Sequence, residues 1–178
     1  DGARKLYLQV AARWPDQPIA GEATLRAASS LVQAYDAPQF VKVKQGVAML
    51  EAWVDSHPHD PMIAVMWQYL GDTYFLPLAD NARALKDDAA AKEYYTKSLA
   101  CYDHADAIGW TDFGNHGPLL WRSAIISERI GNIPSAIKYY TQNIIQTPNS
   151  GKAYESQLAL KRLGAPVPPI DIYHKAKG

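Results

Sequence analysis

Apolar side chains recur at helical spacing along most of this chain, and prolines cut the periodic runs apart. Residues 1–14 put Ala3, Tyr7 and Val10 on one face before Pro15 stops the run. Residues 19–35 cluster Ala23, Leu25, Ala28, Leu31, Val32 and Tyr35, and residues 39–56 carry Val43, Val47, Leu50, Trp53 and Val54. Residues 62–76 align Trp67, Leu70 and Tyr74 on one face. The next helix, led by the capping pair Asp87-Asp88, presents Ala91, Tyr95 and Ser98 and runs to about Ala105. Pro118 opens a helix that points Leu120, Ala124, Ser127 and Ile130 inward, and Gly131-Asn132 stops it. Ala136, Tyr140 and Asn143 line the following helix up to Pro148, and a last helix over 151–163 closes at Gly164 and Pro166. Two stretches, 77–87 and 106–117, fall outside the periodicity and read as inserted loops, and the proline-rich residues 166–178 read as an extended tail.

Within this pattern, Trp67-x2-Leu70-Gly71-x2-Tyr74 resembles the first-helix signature of the tetratricopeptide repeat, and residues 131–148 resemble its second helix and terminating proline. The resemblance covers nearly the whole chain, with two good matches and the rest partial or interrupted. It implies an all-α fold: a right-handed α-solenoid of about eight helices paired as hairpins. That solenoid would span 1–165, with a partial first repeat at 1–15 whose partner helix is expected to be lost or to lie in another part of a longer chain. Relative to the family spacing, the insert near 77–87 adds about eight residues. Residues 14–23 loosely resemble the repeat start of bacterial envelope lipoproteins, which favours a periplasmic or envelope location over the cytoplasm. Ile170, Ile172 and Tyr173 would either fold back over the last apolar face or dock the tail on another subunit.

The family's groove, lined by first helices, typically binds a peptide or partner domain, and the resemblance carries that expectation onto named residues. Gln68, Asp72 and Phe75 come from one helix, and Trp121, Arg122, Ile125, Glu128 and Arg129 from another. Arg26 and Gln33 come from an earlier helix, and Lys152, Glu155 and Arg162 from the last. Trp110 and Phe113, in the second insert, are further candidate contacts. Trp and Arg are common interface anchors, although Trp121 reads equally as core against the 106–117 insert. Members that hold a C-terminal carboxylate use Lys and Asn on first helices. The segments 19–35, 62–76 and 118–130 contain neither, so that ligand is disfavoured.

Composition narrows the remaining classes. Apolar residues make up 48% of 178, enough for a core, and 18 basic residues balance 18 acidic ones. Neither nucleic acid nor an anionic membrane is an expected partner, and no run suits a membrane-spanning helix. His57-Pro58-His59-Asp60 and Cys101-x2-His104-x-Asp106 lack structural zinc spacing, and the single cysteine forms no internal disulfide. No glycine-rich phosphate loop is present. The expectation is a non-catalytic scaffold for a protein or peptide partner, without metal or cofactor. The alternatives are a structural spacer of a longer repeat protein and an accessory part of an enzyme complex.

Overall fold

The structure, a computed structural model, describes residues 2–34, 36, 40–109 and 116–169, and every regular element among them is helical. Among the described residues, nine α-helices run in order: α1 Gly2–Arg13, α2 Pro18–Val32, α3 Val41–Ser56, α4 Ile63–Thr73, α5 Asn81–Ala84, α6 Asp88–Ile108, α7 His116–Arg129, α8 Ile133–Gln146 and α9 Gly151–Arg162. A π-helical segment, Tyr74–Asp80, joins α4 to α5. The contacts divide the chain into two compact units, residues 1–111 and 112–178.

In the first unit each helix packs on its sequence neighbour: α1 on α2, α2 on α3, α3 on α4, and α4 with the π-segment on α6. Val43, Val47, Leu50, Met66 and Leu70 fill the interior, as their spacing predicts. No residue of α1 is buried; Tyr7 and Val10 are half-buried and Leu6 is exposed. The left-handed Phe40 starts α3, and Asp36 accepts bonds from the Lys42 amide at 3.0 and 3.1 Å. That bond holds the Asp36 carboxyl below its usual range.

The insert expected at 77–87 is not a loop. The polypeptide stays helical through Pro77 by widening into the π-segment and then α5. Proline has no N–H to donate in an α-helical register, and a wider turn accommodates that gap. The helix stops at Lys86, which is left-handed, and Asp87 then caps α6 by accepting from the Ala90 amide at 3.1 Å.

The widening moves the packing register of α6. Within the small, aromatic, small triplet Ala91, Tyr95, Ser98, Tyr95 lies against Phe75 and bonds Asp80, both in the π-segment. Ser98 and Tyr102 meet α4, and Ala105 is buried one turn further on. There Tyr102 sits where a Cβ on Gly71 would come within 2.5 Å of its ring, and the Ser98 hydroxyl donates to the Gly71 carbonyl at 2.7 Å. Gly71 is thus the close-approach point that its motif position implies.

In the second unit α7, α8 and α9 pack around Ala124, Ala136, Tyr140, Ile144 and Leu160. Gly131 and Gly164 end α7 and α9 at positive φ, 81° and 67°, where L residues are strained. Buried Asn143 donates to Ser156 at 2.8 Å, tying α8 to α9. The hydroxyls of Ser123 and Ser127 are buried without a partner. Val167 packs back on this core, so the start of the tail covers part of it. Ile170, Ile172 and Tyr173 lie outside the described residues.

Candidate functional site

The expected groove side chains of the second unit meet one another across α7 and α9. The Lys152 ammonium lies 3.6 Å from the centroid of the Trp121 ring and bonds Glu155 at 2.9 Å. Two turns further along α7, Glu128 takes two bonds from Arg162, at 2.7 and 2.8 Å. The Tyr140 hydroxyl also donates to Glu128, at 2.6 Å. Burial and this carboxylate acceptor both favour the neutral phenol, so the Tyr140 pKa is raised. Half-buried Ile125 packs on the core between these two pairs, and Trp121 packs on the same core from the α7 surface. Helical geometry explains the set: Trp121, Ile125 and Glu128 stand three and four residues apart on α7, as Lys152 and Glu155 do on α9. Arg122 is half-buried and Arg129 exposed on the same helix.

The first unit brings fewer of its candidates together. Arg26 pairs with Glu22 at 3.1 Å on an exposed face of α2. Gln33 donates to Ser29, which also accepts from Tyr69 of α4 at 3.0 Å. Arg26, Ser29 and Tyr69 border a shallow cavity of about 190 Å³. Gln68 is half-buried on α4. Asp72 accepts from the Tyr102 hydroxyl at 2.6 Å, so it serves the hairpin joint.

Phe75 is corrected outright. At 5% exposure against Tyr95 it belongs to the core, because the π-helical turn rotates it away from the face that an uninterrupted α-helix would give it. Trp110 and Phe113 lie outside the described residues. Tyr69 and Ser29 were missing from the candidates. A tyrosine two residues before Gly71 was the available signal.

Among the described residues, no group of three His, Cys, Asp or Glu side chains could hold a metal ion. Burial pushes the Cys101 thiol up to about 12, which leaves it protonated and inert at neutral pH. His104 instead stacks on the signature Trp67, with ring centroids 4.5 Å apart. Among the described residues, no helix is long and apolar enough to cross a membrane. No protein-family model, curated protein or solved structure matches the chain.

Proposed function

We propose that the chain is a tetratricopeptide-type, right-handed helical solenoid acting as a non-catalytic scaffold, which binds a peptide segment or partner subunit across its first helices. The observation that carries this reading is the surface shared by α7 and α9. Trp121, Glu128, Lys152, Glu155 and Arg162, singled out from the repeat pattern, make one contiguous polar and aromatic strip there. Trp121 supplies a broad apolar face held in place by Lys152, and the strip carries both charge signs. Packing of each helix on its sequence neighbours, with α7 also touching α9, supports the repeat reading within the second unit.

The test is capture from the native source with the unsubstituted chain and with Arg122→Glu/Arg129→Glu. The reading expects a stoichiometric partner that the double variant loses. Undiminished capture by a correctly folded double variant rejects the groove.

A second reading, a stacking spacer, is favoured by α1, whose Leu6 and Leu8 stay exposed at 62% and 40%. A helix fused ahead of α1 that raises the unfolding midpoint sharply supports it, and an unchanged midpoint argues against it.

A further inference from the structure

The two turns that lead into α2 and α4 lie side by side and enclose a cleft of about 320 Å³. It is walled by Pro15, Pro18, Pro58 and Pro61, and its polar members are Asp16, Gln17, Ser56, His57, His59 and Asp60. The cleft is held by Asp60. Its Oδ1 accepts from the Met62 amide at 2.7 Å, and its Oδ2 accepts from the Trp53 indole N–H at 2.9 Å. Gly21 leaves room for that carboxylate, since a Cβ there would fall 2.2 Å from Oδ2. The indole so oriented carries the imidazole of His57, stacked at 3.8 Å and nearly parallel at 8°.

The tautomer of His57 follows from its neighbours. Nδ1 lies 3.2 Å from the Trp53 carbonyl oxygen, which can only accept. Ser56 Oγ, 2.8 Å from Nδ1, can donate to the Ala52 carbonyl at 2.7 Å and accept from the ring. We assign the proton to Nδ1 on the Trp53 carbonyl contact, which leaves Nε2 as the acceptor of the neutral ring. Neither contact engages Nε2, which stands on the opposite side of the ring.

A fixed acceptor among proline rings calls for a flat apolar group with one hydrogen-bond donor at its edge. The volume lies at the small end of ligand clefts. We propose that this cleft is a second binding site, distinct from the α7–α9 strip, that takes a tyrosine side chain of a partner protein. The ring lies among the prolines, and the phenol O–H donates to His57 Nε2.

The probe is p-cresol, the tyrosine side chain alone, with toluene as the same shape without the donor. Both are titrated into the full chain, and the His57 ring nitrogens are followed by NMR. The free protein is expected to show the Nδ1–H form. Added p-cresol should shift Nε2 saturably, and toluene should bind about five- to tenfold more weakly, the worth of one hydrogen bond. His57→Phe, which keeps the stack on Trp53, should remove the preference and leave both probes equal. Equal binding to the unsubstituted chain, no binding of either probe, or an Nε2–H ring in the free protein overturns the proposal. The comparison on the unsubstituted chain stands even if the variant folds poorly.

Discussion

The α4–α6 hairpin of the first unit and the α7–α8 hairpin of the second make the same joint with different parts. In both, a buried tyrosine of the second helix reaches back to a carboxylate of the first at 2.6 Å: Tyr102 to Asp72, and Tyr140 to Glu128. In the first unit the tyrosine ring lies so near the first helix that only glycine fits at position 71. In the second, Ala124 occupies the equivalent place, and its methyl is itself core. Ser127 likewise stands where the first unit has Tyr74, which bonds Glu51 of α3. The retained element is the aromatic–carboxylate tie; the glycine is needed only where the ring comes closest.

That difference makes the two hairpins unequal under substitution. The largest effect falls on Gly71→Val, which drives a branched side chain into the Tyr102 ring and should cost about 3 kcal/mol, the upper end of overpacking. Denaturant unfolding measures it. Tyr102→Phe and Tyr140→Phe should each cost about 1–2 kcal/mol, for a phenol bond to a charged acceptor. A large loss at one and none at the other would show that the joints are not equivalent. Ala124→Gly should cost only about 1 kcal/mol, mostly helix propensity. Arg162→Ala, which removes an exposed partner from Glu128, should cost under about 1 kcal/mol and matter more for binding than for stability.

Alkaline titration separates the tied tyrosines from the rest. Burial, then the carboxylate acceptor, raises the folded pKa of Tyr74 and Tyr140 above the ordinary value of about 10. The stability each contributes is fully present below about pH 10 and is lost as pH rises toward the folded pKa. Tyrosinate absorbance should therefore show a class of tyrosines that ionises only with unfolding, and Tyr140→Phe should shrink that class.

Helix positions were legible because proline, glycine and capping residues mark them in the chain itself. The run 151–163 met α9 to within a residue, and Asp87 capped α6 as its position suggested. The Trp-Leu-Gly-Tyr spacing also located the close approach at Gly71. Pro77 misled because a missing N–H reads as a stop, and nothing in the residues announces a switch to the wider π-helical turn. The α6 register was ambiguous because Ala91-Tyr95-Ser98 and Ser98-Tyr102-Ala105 carry the same small, aromatic, small order. That Trp121, Ile125 and Glu128 share one face of α7 was legible from their spacing. The pairing of Lys152 with Trp121 and of Arg162 with Glu128 was not, since those contacts depend on how α7 and α9 lie together.

Site-specific photo-crosslinking at Ile125, between the Trp121 and Glu128 pairs, addresses the scaffold reading most directly. Exposed Gln45 on α3 serves as the control position. In the native source, a scaffold that works through its first helices gives one defined protein adduct from Ile125 and none from Gln45. Adducts equal at both positions, or absent from Ile125, would contradict binding across α7 and α9.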